Sequence, residues 1–215
     1  MKKLLLGLLL ISSVLSFGAT QRVGIEKLVT NESRDTLYLE ETKKPYSGEV
    51  ERKYPDGKLL GIATVKDGKF NGKSYEYYEN GKLKIEENYV NGKSEGVSKF
   101  FYPNGKVKYE TPYKNDKKEG VEKFYSENGI LMSEIPFKND VVIGIAKVYN
   151  AQTGKLEYEE NLVNGKRNGL SKKYYPSGKV LNEVNFKDDK EEGIMRVYYE
   201  TGKLQGEIPY KNGQV

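Results

Sequence analysis

The sequence contains no cysteine, no histidine and no tryptophan. Without cysteine the chain has no disulfide, no thiol nucleophile, no zinc–thiolate site and no cysteine for lipid anchoring. Without histidine it lacks the side chain that titrates between about pH 5 and pH 8, and with it every His-based catalytic triad. Catalysis by carboxylates or lysine stays open as the weaker alternative, and we expect a protein that is not an enzyme and needs no cofactor or metal.

Apolar residues are also scarce, at 36% of 215 residues against 31% charged residues, and the mean hydropathy is −0.74. Such a chain has little apolar surface to bury in a conventional core. The 18 tyrosines and 7 phenylalanines nevertheless argue against disorder, because disordered chains are poor in aromatic residues. Together with 23 glycines, this composition predicts a fold with many turns and a thin apolar layer.

Only one long hydrophobic run is present, and it lies at the N-terminus. Lys2 and Lys3 precede the apolar run 4–15, and small residues follow it. This pattern predicts a signal peptide over residues 1–18, cleaved after Gly18, although an uncleaved anchor remains an alternative. We therefore expect an exported protein that is periplasmic, cell-surface or secreted, and that does not span the membrane after cleavage. Export and a formal net charge of only +5 also argue against a nucleic-acid partner.

The remainder of the chain is dominated by an internal repeat. Seven units begin at glycines that are 24 residues apart, with one spacing of 25: Gly48, Gly72, Gly96, Gly120, Gly144, Gly169 and Gly193. A second register follows nine residues later, at Gly57, Gly81, Gly105, Gly129, Gly154, Gly178 and Gly202. The one inserted residue lies within 150–153, just before Gly154. Repetition at this period is typical of arrays built from one supersecondary unit.

Each unit has the pattern of a β-hairpin. Residues 97–102 are rich in aromatic residues, as strands are. Pro103, Asn104 and Gly105 then suit a three-residue loop whose glycine closes a bulge in the left-handed conformation. We therefore expect an all-β fold: an elongated open antiparallel β-meander of seven tandem ~24-residue hairpin repeats. It would contain about 14 strands and be roughly 65 Å long, at about 4.8 Å per strand.

The loop geometry also predicts the cross-strand partners, placing Phe101 opposite Val107 and Lys99 opposite Tyr109. One face would then carry Lys99 and Phe101 together with two apolar rows that form the thin core. The first row is Leu59, Leu83, Val107, Leu131, Leu156, Val180 and Leu204. The second is Val65, Tyr89, Tyr113, Phe137, Leu162, Phe186 and Tyr210.

The opposite face is predicted to carry charge ladders. Lysines follow the loop glycines at positions 58, 82, 106, 155, 179 and 203. A glutamate ladder follows: Glu86, Glu110, Glu134, Glu159, Glu183 and Glu207. Two interpretations stay open, a solvated face with cross-strand ion pairs that discourages edge aggregation, or a divalent-cation site built from the glutamates.

A third ladder is the candidate partner-binding ladder. Its basic members lie in the first strand of five units: Lys99, Lys123, Lys147, Lys172 and Arg196. Its aromatic members lie two positions further on: Tyr77, Phe101, Tyr125, Tyr149, Tyr174 and Tyr198. Basic groups interleaved with aromatic rings suit an acidic protein surface, an anionic lipid headgroup or a glycan. The same residues are compatible with a packed aromatic row over which the lysines extend.

Residues 19–45 lack the full pattern and are expected to form an N-terminal cap or half-repeat, ahead of the repeats at 46–215. Units such as GVSKFFYPNGKVKYETPYKND resemble MORN repeats of the bacterial variant type, over nearly all of the chain after the signal. The resemblance implies an elongated stack of hairpins that acts in binding and scaffolding. The repeats are also similar to those of YwqK-family antitoxins, which gives an alternative function: neutralising a cognate toxin.

The function expected from the sequence is therefore an exported, non-enzymatic repeat protein. It would bind a protein, a lipid headgroup or a host surface along an extended sheet face. MORN repeats accompany the kinase domain of some phosphatidylinositol-phosphate kinases, but this sequence shows neither a glycine-rich phosphate loop before a helix nor a kinase catalytic-loop pattern. Kinase activity is accordingly not expected, and the sequence does not predict the oligomeric state.

Overall fold

The computed structural model describes residues 21–215, so the predicted signal peptide lies outside the described residues. The described part is almost entirely β-structure, with a single 3₁₀ turn at Ile25–Lys27. Its strands are β1 (Arg22–Gly24), β2 (Leu28–Thr30), β3 (Leu37–Leu39), β4 (Gly48–Lys53), β5 (Leu59–Lys66), β6 (Lys69–Tyr77), β7 (Leu83–Val90), β8 (Lys93–Ser94), β9 (Gly96–Phe101), β10 (Val107–Lys114), β11 (Lys117–Lys118), β12 (Gly120–Tyr125), β13 (Leu131–Lys138), β14 (Val141–Val142), β15 (Gly144–Tyr149), β16 (Leu156–Val163), β17 (Lys166–Arg167), β18 (Gly169–Tyr174), β19 (Val180–Lys187), β20 (Lys190–Tyr198) and β21 (Leu204–Tyr210).

The predicted chain of seven hairpins is confirmed. The hairpins are β4–β5, β6–β7, β9–β10, β12–β13, β15–β16, β18–β19 and β20–β21. Each hairpin pairs with the next in antiparallel fashion, and the sheet reaches 19 strands. The sheet is mixed because β1 pairs in parallel with β4. Within residues 21–215 the first and last hairpins do not pair, so the sheet is an open ribbon.

The hairpin loops have the predicted geometry. The Tyr102 N–H donates to the Lys106 carbonyl and the Gly105 N–H donates to the Tyr102 carbonyl, both at 2.8 Å. Gly105 has φ of +93°, which is the left-handed region that glycine occupies at little cost. The loop after Asn150 is one residue longer, because the Asn150 N–H bonds Lys155 instead.

Tight two-residue turns connect successive hairpins. In the turn after β10, Asn115 and Asp116 both have positive φ, as a type I′ turn requires. The Asp116 N–H donates to the Ser94 carbonyl at 3.1 Å, and the Ser94 N–H donates to the Asp116 carboxylate at 2.7 Å. Each such turn therefore bonds the preceding turn as well as closing its own, which explains the Asp and Asn residues at this edge of the ribbon.

A bulge in the return strand corrects the predicted pairing. Val107 lies opposite Phe101 as expected, but Tyr109 lies opposite Phe100, so Lys108 is the extra residue. Lys99 therefore faces Glu110 and not Tyr109. Because a bulge moves all later residues of its strand to the other face, the two apolar rows predicted to share one face lie on opposite faces. Every hairpin has this shift close to its loop.

The N-terminal segment covers the first hairpin. Val23 of β1 packs with Tyr46, Val50 and Val65 in the main buried apolar cluster. The Tyr46 hydroxyl lies 2.8 Å from the carbonyl oxygen of Gln21, tying β1 to the hairpin. Strands β2 and β3 form a separate two-stranded sheet beside this cluster. The segment thus shields one edge of the ribbon, where strand edges are prone to aggregation.

Candidate binding surface

We call the sheet face that carries Lys99 and Glu110 the charged face, and the face that carries Phe100 and Tyr109 the reverse face. On the charged face, one transverse row contains one residue from each long strand. From β7 onward the signs alternate without a break: Glu86, Lys99, Glu110, Lys123, Glu134, Lys147, Glu159, Lys172, Glu183, Arg196 and Glu207. The glutamate ladder and the basic members of the candidate ladder are therefore one row. Their predicted placement on opposite faces was wrong, because of the bulge at Lys108.

Four ion pairs lie within this row, each between a basic residue and the glutamate of the same hairpin. Lys99 lies 3.3 Å from Glu110, and Arg196 lies 3.0 Å from Glu207. Lys123–Glu134 and Lys147–Glu159 are 3.8 Å apart. Because every basic residue of the row has a glutamate on both sides, the charges are balanced within the face.

The tyrosines of the candidate ladder connect successive repeats to this row. Four of the ladder's five hydroxyls donate to the glutamate of the preceding unit: Tyr125 to Glu110 at 3.2 Å, Tyr149 to Glu134 at 2.8 Å, Tyr174 to Glu159 at 2.6 Å, and Tyr198 to Glu183 at 2.7 Å. For Tyr77, the corresponding position of the preceding unit is Ile62, whose side chain cannot accept a hydrogen bond. Phe101 has no hydroxyl for Glu86, which is instead ion-paired with Lys73. The structure thus brings together basic, acidic and aromatic ladders that the sequence treated separately.

Burial and these hydrogen bonds together raise the pKa of the tyrosines. Burial raises the pKa of Tyr149 to about 12, with the hydrogen bond to Glu134 as the next largest cause. Burial also raises the pKa of Tyr174, again together with the bond to its glutamate. For Tyr198 the bond to Glu183 is the largest cause of a raised pKa. At neutral pH these hydroxyls are protonated donors, and the carboxylates accept from them.

A row of exposed apolar side chains runs beside the charge row on the same face. We call it the apolar stripe: Val97, Val121, Ile145, Leu170 and Ile194, each between 41% and 54% exposed. Three of its cross-strand partners are prolines, Pro112, Pro136 and Pro209. At about 4.8 Å per strand the stripe is roughly 40 Å long. Sequence reasoning missed the stripe. Its signal is an apolar residue directly after the first glycine in five consecutive units.

The glutamates do not gather into a metal site. Within residues 21–215, no three acidic side chains lie close enough together to hold an ion. Lysine or arginine separates successive glutamates in the row. No helix of the described residues has the length and apolar character needed to cross a membrane.

An open ribbon of tandem hairpins that displays one continuous face is the architecture of repeat proteins that act by binding. The model of the MORN repeat variant family matches residues 46–67, 70–91, 94–115, 118–139, 167–188 and 191–212, which together are more than half of the chain. The chain therefore belongs to this family. The unmatched hairpin, β15–β16, contains the longer loop but pairs with its neighbours as the other units do. Among curated proteins, no match was found.

Proposed function

We propose that the protein is an exported, non-enzymatic repeat protein that binds a partner protein along its charged face. The observation that carries this proposal is the apolar stripe, whose five side chains are about half exposed and line up across five hairpins. Large contiguous apolar patches are uncommon on monomeric proteins and are typical of interaction surfaces. A partner with a matching apolar ridge would bury the stripe.

The charge row favours a protein over an anionic lipid or glycan as the partner. An anion-binding face needs unmatched positive charge, whereas the row contains six glutamates and five basic residues in alternation. A balanced row beside an apolar stripe is instead the arrangement of a polar rim beside an interface core. Such a rim selects partners by register and charge pattern more than it adds affinity.

Export and the absence of catalysis are supported by the sequence. The hydrophobic run 4–15 after Lys2 and Lys3 has the order of a secretory signal. Repetition also gives each glutamate much the same surroundings, whereas acid–base catalysis by two carboxylates needs unlike ones. A C-terminal tag followed through protease digestion of intact cells, osmotic-shock release and the cytoplasmic fraction tests the compartment, and retention in the cytoplasm with Met1 intact would contradict export.

The binding face is tested with a photo-crosslinking amino acid placed in one strand at two positions. Ile145 lies in the apolar stripe, whereas Val148, three residues later in β15, lies on the reverse face. The two side chains are 54% and 43% exposed, so each probe is accessible. We expect a discrete crosslinked product from position 145 in cells, and none from position 148.

Disruption of the stripe provides the second arm of this experiment. Val121→Lys places a charge in the stripe one repeat away from the probe at position 145, and should remove the crosslink without unfolding the exposed site. Equal crosslinking from positions 145 and 148, or a crosslink that Val121→Lys does not affect, would contradict the proposal. If the captured protein is itself toxic when produced alone, the antitoxin-like alternative is the correct form of this function.

A further inference from the structure

A second set of tyrosines, at the loop edge of the ribbon, connects four of the hairpins to the hairpin that follows. The tyrosine directly before the hairpin loop donates its hydroxyl to a backbone carbonyl at the end of the next unit's first strand. The four bonds are Tyr54 to Tyr77 at 2.8 Å, Tyr78 to Phe101 at 2.6 Å, Tyr102 to Tyr125 at 2.8 Å, and Tyr175 to Tyr198 at 2.8 Å. We call these contacts loop-edge rungs.

The rungs are interrupted in the fourth and fifth units, where Ser126 and Asn150 replace the tyrosine. At position 150 the amide donates to Glu157 at 2.8 Å, along its own hairpin. The carbonyl that a tyrosine at this position would reach, by analogy with the intact rungs, is that of Tyr174. The interruption thus removes both a ring and a hydroxyl from the space between two hairpins.

The structure contains a cleft at this place. It has a volume of about 300 Å³ and lies between the fifth and sixth hairpins, lined in part by Asn150, Glu157, Tyr158, Lys173, Tyr174 and Pro176. An apolar cavity of about 150 Å³ suffices to hold benzene in another protein. The space is therefore large enough for a single aromatic ring.

The walls of the cleft are held in place by the repeats themselves. The Lys173 ammonium lies 5.2 Å from the centre of the Tyr158 ring, which fixes one side. The Lys155 ammonium donates to the Pro176 carbonyl at 2.6 Å, which holds the two loops together at the other. The break at Ser126 differs, because Ile130 replaces the usual lysine and packs against the next loop at Gly154.

We propose that this cleft binds a para-substituted phenol, the chemistry of a tyrosine side chain. The ring would occupy the place that the chain's own tyrosine occupies in the intact rungs, and its hydroxyl would donate to the Tyr174 carbonyl. The site is independent of the partner surface proposed above, because Tyr158 and Lys173 belong to the reverse face. Four other repeats define the ligand, since each shows the same group bound in the corresponding space.

The test uses p-cresol as the probe and backbone amide chemical shifts as the readout. We expect weak, millimolar-range binding, as for other single-ring fragments, with shifts concentrated around Tyr174 and Pro176. Toluene, which lacks the hydroxyl, should bind roughly two- to tenfold more weakly, the value of one neutral hydrogen bond. N-acetyltyrosinamide binding as tightly as p-cresol would indicate a peptide tyrosine as the natural ligand, and exclusion of the peptide form would indicate a free phenol.

Two variants make the proposal falsifiable. Asn150→Tyr should fill the cleft, restore the rung, abolish p-cresol binding and raise the thermal midpoint. Tyr102→Asn should open an equivalent cleft beside the Tyr125 carbonyl and create a second p-cresol site, even if Asn150→Tyr fails to fold. Shifts scattered over the sheet, equal binding of toluene, or no new site in Tyr102→Asn would overturn the proposal.

Discussion

The Tyr149 hydroxyl donates a 2.8 Å hydrogen bond to the carboxylate of Glu134, which belongs to the preceding repeat. Glu134 is at the same time 3.8 Å from Lys123 in the neighbouring strand. One carboxylate thus joins the aromatic row, the basic row and two successive hairpins. A chain with little apolar surface to bury gains much of its order from such repeated polar contacts.

This contact predicts a loss of stability at high pH. The pKa of Tyr149 is raised from 10.0 to about 12 in the folded protein. The hydroxyl therefore contributes stability in full below its unfolded pKa, and the contribution is lost as the pH rises through the folded value. We expect Tyr149→Phe to lower the urea midpoint near neutral pH and to reduce its decline at alkaline pH. The exposed Tyr199→Phe is the control, and an equal effect from both substitutions would contradict the assignment.

The alternating row predicts a penalty for reversing one of its charges. Lys123 lies between Glu110 and Glu134, so Lys123→Glu would place three carboxylates side by side. We expect a loss of about 1–2 kcal/mol in the free energy of unfolding, since like charges directly opposite each other destabilise a sheet. Lys114→Glu makes the same change in net charge opposite Lys117 and should cost much less. Added salt should reduce the difference in free energy of unfolding between the two variants, because it screens the repulsion. An unchanged difference at high salt would show that charge repulsion is not its cause.

Two glycines separate backbone strain from steric contact. Gly105 has φ of +93° and open space around the position of a Cβ, so Gly105→Ala should cost about 1 kcal/mol through strain alone. Gly120 has φ of +122°, and a Cβ there would lie 2.9 Å from the Pro112 ring. Gly120→Ala should therefore cost about 2–3 kcal/mol, because strain and overpacking add. Equal losses in denaturant unfolding would show that the proline contact is unimportant.

The N-terminal cluster predicts where shortening an apolar side chain lowers the free energy of unfolding most. Val65 is only 2% exposed beneath the N-terminal segment, whereas Val141 is 42% exposed at a turn. Val65→Ala should lower the free energy of unfolding by about 2 kcal/mol, as buried methyl groups and the cavity they leave both count. Val141→Ala should have an effect of less than about 0.5 kcal/mol. Similar thermal midpoints for the two variants would place the stability of the ribbon elsewhere.

The glycine registers and the Pro-Asn-Gly loop predicted the hairpins correctly. Few residue types other than glycine and asparagine adopt a positive φ at little cost, so their regular spacing marks the turns. For the residues that follow the bulge in each return strand, the sheet face was predicted wrongly. Nothing in the residue type of Lys108 indicates that it is the extra residue of its strand, yet it decides that Lys99 meets Glu110. The candidate ladder residues were identified by period alone, and period gives a residue's row but not its neighbours. The cleft could not be predicted from the sequence. Asn150 stands at the position of the rung tyrosines, and the hydrogen bonds of those tyrosines are visible only in the structure.

The loop-edge rungs have a mechanical consequence. They act as cross-ties along one edge of a long ribbon, present from Tyr54 to Tyr125 and again from Tyr175 to Tyr198. Between these two stretches the ties at Ser126 and Asn150 are missing. Because two successive hydrogen bonds between hairpins are absent at these positions, thermal twisting of the ribbon should concentrate there. A ring bound in the cleft would replace one missing contact and stiffen the ribbon where we expect it to twist most.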